Sequence, residues 1–380
     1  MTVLSQFTSG SSNFNNMKIF MSSANFVTPI TGKYRIRALG AGGSGAAYEG
    51  ASNIVATGGG GGGYCESVVS LASNVTLTIL VGLGGAPIGA PVTSGLPGNN
   101  GGNTSVTGSG LVTMTAGGGY GGTGARTATS QAAALGGTAS GGTFVNFSGG
   151  SSGAITAVSG HQATGGGAAG SYLGAGGNGG NLTYASNATG GGGVGGGNGA
   201  SNPTTYGGGG GSAYLPAATA QYGGANWEGI YTGSYGGAFD WDSKSETIKA
   251  GVPYKGITPL FSVPVANVYV LVRPITQDPI YPLLGGGGGA PFATTHQSWG
   301  ASGGGGGGSY DSGTTPGLYG GYGGTCGGGG GCSNPYNSGY ATGGRGGIGG
   351  GGGGACCLYG STPNVATSGA GGNGLVIIEW

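Results

Sequence analysis

Lys33-Tyr-Arg-Ile-Arg-Ala-Leu-Gly-Ala-Gly-Gly-Ser-Gly45 decides how the rest of the chain is read. Its first half alternates. Tyr34, Ile36 and Ala38 share one face, while Lys33, Arg35 and Arg37 share the other, the period-two signature of a strand with one apolar side. Its second half almost loses side chains, with glycine at 40, 42, 43 and 45. The same switch runs in reverse at the other end, where Gly369-Ala-Gly-Gly-Asn-Gly374 leads into Leu375-Val-Ile-Ile-Glu-Trp380. Most of the 106 glycines in the 380 residues fall between these two junctions.

Glycine at this level is about fourfold above the ordinary ~7%. Such a composition raises disorder first, and the other residues argue against it. Disordered chains are poor in aromatics and rich in charge, whereas this one has 20 Tyr, 9 Phe and 4 Trp but only ten basic and nine acidic residues. A net charge of +1 carries no footprint of a nucleic-acid binder. Glycine keeps no strict every-third-residue period, so collagen is excluded. No apolar run reaches the ~18 residues of a membrane-spanning helix. The N-terminus lacks a basic region followed by an apolar core, so no leader is expected.

Short apolar segments punctuate the glycine. Met17–Phe20 and Asn25–Thr28 read as strands, and Pro29-Ile-Thr-Gly32 turns into the organising strand. Tyr64–Ser70 and Asn74–Val81 read as a strand pair. Asn103–Thr107 and Leu111–Thr115 read as a hairpin around Gly108-Ser-Gly110. No 3.6-residue period appears, and glycine inside a helix costs ~1 kcal/mol against alanine. The expected class is all-β with essentially no α-helix.

Ordering glycine carries an entropy surcharge of ~0.5–1 kcal/mol each, and there is no side chain to offset it. Dense backbone packing is the remaining source of stability. Polyproline-II geometry, with three residues per turn and ~3.1 Å rise, points N–H and C=O outward. Runs such as Gly303–Gly308 then hydrogen-bond side by side, so a polyglycine-II bundle is expected.

Chemistry-bearing motifs are sparse. Gly174-Ala-Gly-Gly-Asn-Gly179 matches a dinucleotide fingerprint, but no strand–helix unit surrounds it. His161 and His296 have no partners arranged for nucleophilic work. Cys65, Cys326, Cys332, Cys356 and Cys357 read as small buried thiols, with a 326–332 bridge or half a metal site as the alternative. No enzyme activity, cofactor or metal is expected. Residues 1–16 read as an arm or attachment segment, and 17–380 as one domain. Residues 225–282 read as an inserted lobe holding nine of the charges and two tryptophans.

Three stretches together resemble the glycine-rich domain of bacteriophage tail-fibre and receptor-binding proteins. They are the organising strand with its glycines, Gly59–Gly85 (GGGGGYCESVVSLASNVTLTILVGLGG), and the closing Asn373–Trp380. The resemblance spans roughly residue 17 to the end. It implies a jelly-roll-like β-sandwich whose glycine-rich loops form the bundle, in a protein exposed on the virion. It also implies other virion proteins as partners and a bacterial surface glycan or outer-membrane protein as target. A homotrimer is expected from the fibre resemblance and the low-charge surface, with neither nucleic acid nor membrane insertion. Aromatics on a rigid support make contact at small entropy loss. The expected contact set is therefore Trp227, Tyr231, Tyr235, Phe239, Asp240, Trp241, Asp242 and Tyr254. Glycine-run tips carrying Tyr310, Tyr319, Tyr322 and Tyr336 are the alternative.

Overall fold

A computed structural model describes residues 14, 16–50, 53–89, 95–127, 129–156, 160–183, 187–201, 207–210, 303–310, 317–334, 339–358 and 365–380. The protein is all-β. Helix among the described residues is limited to one short 3-10 turn, Val194–Gly196.

Two five-stranded sheets hold the main core. In the first, Met17–Phe20, Leu375–Glu379, Gly32–Leu39, Tyr64–Leu71 and Val145–Phe147 lie side by side, all antiparallel. In the second the order is Ala139–Ser140, Leu111–Ala116, Thr104–Gly108, Thr76–Leu80 and Ala24–Val27, again antiparallel. The inward side chains of both sheets meet in one cluster that includes Tyr34, Ile36, Ala38, Leu77, Ile79, Val106, Met114, Val376 and Ile378. Trp380 closes it, its ring centroid 5.1 Å from Phe26 and 6.4 Å from Tyr34. The closing strand thus sits centrally, between Met17–Phe20 and the organising strand, which explains the mirrored junctions of the sequence.

The expected hairpin forms, with Gly108 opposite Leu111 and Gly110 in the left-handed region at φ 78°. The expected pairing of Tyr64–Ser70 with Asn74–Val81 does not. Tyr64–Leu71 pairs with Gly32–Leu39 in the first sheet, whereas Thr76–Leu80 pairs with Ala24–Val27 and Thr104–Gly108 in the second. The connection crosses between sheets, pinned by Thr28, whose N–H donates to Val75 O (2.9 Å) and whose hydroxyl donates to Ala72 O (2.7 Å). Crossing lets Leu71 and Leu77 enter the same core from opposite sides.

Beyond the sheets the glycine runs pack on one another, and their hydrogen bonds repeat every third residue. From the run that follows the organising strand, Gly40 and Gly43 donate to Gly63 and Gly60. Ala41 and Ser44 donate to Gly102 and Asn99, and Gly42 and Gly45 donate to Gly372 and Gly369. Successive residues thus address three different neighbours, and the fourth returns to the first. That is the signature of a three-fold extended helix. The run 59–63 repeats it: Gly59 and Gly62 donate to Gly352 and Gly349, while Gly60 and Gly63 donate to Tyr120 and Gly117. Neighbours run both ways. Gly167 and Gly170 meet Gly59 and Gly62 in parallel order, while Gly351 and Gly354 meet Gly167 and Thr164 in antiparallel order. A Cβ at Gly60 or Gly61 would land on a backbone carbonyl, of Leu135 and Ala168 respectively.

Both ends of the bundle are closed by side chains. At the sheet end, Ala168, Ala169, Val194 and Cys326 from the runs cover Leu39, Tyr64, Leu375 and Ile377 on the outer face of the first sheet. At the far end, short parallel strands take over. Ser309–Tyr310, Cys332–Asn334, Ala355–Leu358 and Ala47–Gly50 form one row, and Gly317–Tyr319, Tyr340–Thr342 and Ala366–Thr367 form another. A small core of Ala47, Leu318, Cys332, Ala341, Ala355, Cys357 and Ala366 lies between the two rows.

This layout settles the cysteines. All five are buried free thiols. Cys326 belongs to the sheet-end cluster and Cys332 to the far-end cluster. Six residues of extended run between them span about 19 Å, well beyond disulfide reach. Burial pushes the Cys65 and Cys356 thiols up to about 12.

Candidate functional site

The expected contact residues Trp227, Tyr231, Tyr235, Phe239, Asp240, Trp241, Asp242 and Tyr254 lie outside the described residues, as do Tyr336 and His296. The described flanks of that segment are informative. Gly207 donates to Ala188, and Gly210, three residues on, donates to Gly191. On the return, Gly303 O accepts from the N–H of Val194, which packs at the sheet end. The run before 211 therefore heads toward the sheet end, and the chain re-enters from there. The connections 311–316, 335–338 and 359–364 are instead flanked by far-end strands. The described flanks of these segments thus lie at opposite ends of the bundle.

Of the alternative set, Tyr310 and Tyr319 do sit on far-end strands. Tyr322 does not sit at a tip. It faces sideways from the middle of a run, because in a three-fold helix one residue in three points away from the bundle. Three runs lie parallel there: Gly320 and Gly323 donate to Thr342 and Arg345 (2.8 Å each), and Gly343 and Gly346 donate to Thr367 and Ala370 (2.8 and 3.0 Å). Their outward positions are Tyr319 and Tyr322, Thr342 and Arg345, Thr367 and Ala370, all partly or fully exposed while the residues just before them are buried. Tyr340 adds a third ring. Its hydroxyl accepts from that of Tyr319 at 3.0 Å, and the rings meet edge to face at 5.4 Å. Tyr340 folds over Gly317, where any Cβ would strike its ring.

Residue-type reasoning passed over Arg345, Thr342 and Tyr340. The signal that finds the first two is spacing: Tyr319-Gly-Gly-Tyr322 and Thr342-Gly-Gly-Arg345 place a side chain at every third position of a glycine run. The same spacing marks other outer runs, where the side chain replaces a missing neighbour. Asn100 and Asn103 accept the N–H groups of Gly121 and Gly118, and Asn178 and Asn181 accept those of Ser151 and Ala154.

Reactive constellations are few. No group of three or more His, Cys, Asp or Glu suited to a metal occurs among the described residues. His161 is buried, and burial lowers its pKa against a raising hydrogen bond to Gly50 backbone. Glu49 is fully buried at the far end, where Oε1 accepts the Ala366 N–H at 2.8 Å and ties the two rows of strands together. Burial raises its pKa, against the lowering effects of that bond and of Arg126. A carboxyl raised in the folded state must release its proton more easily on unfolding. Stability from this group is therefore full at acid pH and falls as pH climbs above the unfolded value of ~4.3. Glu49→Gln keeps the acceptor and removes the charged form. Melting curves across pH 4.5 to 7.5 should show the variant gaining on the parent as pH rises. An equal pH slope in both proteins would refute this role for Glu49.

No family model and no curated protein matches the chain.

Proposed function

We propose that the chain is a structural protein of a bacteriophage virion. In this reading it is a tail-fibre or tail-tip component, displayed on the particle surface, that contributes to recognising the host. The supporting observation is the bundle itself: a rigid backbone lattice that sets tyrosine, threonine and arginine side chains outward at every third position of parallel runs. Pre-ordered aromatics on a stiff frame lose little entropy on contact. No catalytic step is assigned. The working form is a homotrimer attached to other virion proteins, and the target is a bacterial surface glycan or outer-membrane protein.

Adsorption of the purified full chain to host cells tests the reading, with light scattering on the same sample giving its assembly state. Saturable binding that blocks phage adsorption is expected, from a particle of three chains. A folded protein that neither binds cells nor slows adsorption would reduce the function to a purely structural virion role. A monodisperse monomer at micromolar concentration would remove the trimer.

A further inference from the structure

We infer that the bundle face carrying Tyr319, Tyr322, Tyr340 and Arg345 binds an acidic polysaccharide. This deepens the host-recognition reading and rests on it.

Three observations carry the assignment. The first is shape. The three parallel runs form a ribbon in which Tyr319 pairs in register with Thr342, and the bonds of Gly320 and Gly323 carry that register on to Tyr322 beside Arg345. Outward positions along a run recur every three residues, about 9.3 Å at three-fold helix rise. A ribbon with evenly repeated contact points suits a linear repeating polymer better than an irregular protein surface.

The second is chemistry. Tyrosine presents an apolar ring face and a hydroxyl, the combination that covers one face of a sugar ring and bonds its hydroxyls. The Tyr319–Tyr340 pair is pre-set by its hydroxyl contact and edge-to-face packing. That hydrogen bond, with burial, holds the Tyr319 phenol up to about 12. Thr342 and Thr367 add hydroxyls in the adjacent runs.

The third is charge. Arg345 is exposed in the middle of the ribbon, and its planar fork matches a carboxylate through two parallel hydrogen bonds. None of the three described carboxylates is exposed. Glu49 is buried behind the Ala366 backbone, and Glu66 and Glu379 are engaged by arginines on the first sheet. Among the described residues the face thus offers one cation beside neutral sugar-binding groups. That selects an acidic glycan over a neutral one, and one isolated cation is too little for a nucleic-acid backbone.

The test uses the full chain and two immobilised probes: polygalacturonate as the acidic polymer and dextran as the neutral one. Retention on polygalacturonate and not on dextran is expected. Arg345→Ala should weaken it by about 10–100-fold, the worth of a hydrogen bond to a charged group. Arg345→Lys, which keeps the charge without the fork, should fall between. Tyr322→Ala should weaken binding per folded molecule, with the melting curve recorded alongside to separate a lost contact from lost packing. Equal retention on both polymers, or full polygalacturonate binding by Arg345→Ala, overturns the inference. If host cells bind the parent chain while polygalacturonate does not, this inference falls and the host-recognition reading stands. If Arg345→Ala also loses host cells, both are supported.

Discussion

Gly329→Val should leave no soluble folded protein. A Cβ at Gly329 would land on the Gly344 carbonyl, with the Arg345 carbonyl oxygen 2.8 Å away. In an ordinary core an added methylene is absorbed by rotating side chains, at ~1–3 kcal/mol. Here the obstacle is backbone, and it is not free to move. Gly344 donates to Gly330, and Gly329 donates to Gly351 while accepting from Gly166. Relieving the clash means breaking hydrogen bonds in several runs at once. A loss above ~5 kcal/mol is expected, in the exceptional range for single substitutions and comparable with the whole stability of a domain. Gly305→Val should behave alike, since its Cβ would meet the Gly191 carbonyl. Outward substitutions provide the contrast. Tyr120 is 55% exposed, and Tyr120→Ala should stay within about 0.5 kcal/mol. Soluble yield and thermal unfolding read all three. Unchanged melting with valine at both run centres would mean that the runs are not packed as described.

Glu379→Ala should be the most damaging change among the described carboxylates. Arg37 has no exposed surface, and its Nη2 lies 3.1 Å from Glu379 Oε2. The same oxygen sits 3.6 Å from Arg35 Nη1, and Arg35 Nε lies 3.4 Å from Glu66 Oε1. Tyr64 completes the set by donating its hydroxyl to Glu66 Oε2 at 2.7 Å. Removing one member of a buried pair leaves the other charge desolvated, at about 3–5 kcal/mol. Arg35 is 30% exposed and water replaces part of its interactions, so Arg35→Ala should lose less. Urea midpoints at constant slope give the comparison. A loss under ~1 kcal/mol for Glu379→Ala would show that Glu379 is not what holds the Arg37 guanidinium in place.

Arg37 also shows where strand alternation stops being informative. The period-two pattern places Arg37 opposite Tyr34, Ile36 and Ala38, and the structure agrees. The pattern says nothing of what lies over that second face. It is covered because Ala168, Ala169, Val194 and Cys326, distant in sequence, fold back onto Leu39, Leu375 and Ile377. A charge that reads as solvated thereby becomes part of an interior network.

The all-β class, the organising and closing strands, the hairpin at Gly108–Gly110 and the need for bare backbone in the runs were all legible in the sequence. Each depends on local information: alternation, turn residues, or the absence of a Cβ. The outward face was not read from the residue types, which put Tyr322 at a run tip; its signal, side chains spaced three apart in glycine as at Tyr319 and Tyr322, gains meaning only once the runs are known to be three-fold helices. The tertiary structure alone decided which run lies beside which, and in which direction. Glycine 59 meets 352 and glycine 40 meets 63, yet every glycine offers the same N–H and C=O and no side chain to distinguish partners. An extended three-fold run also accepts parallel and antiparallel neighbours alike, as Gly167 does with the 59–63 and 349–354 runs. Neighbour choice therefore falls to the side-chain clusters at the two ends of the bundle, which exist only once residues far apart in the chain have met.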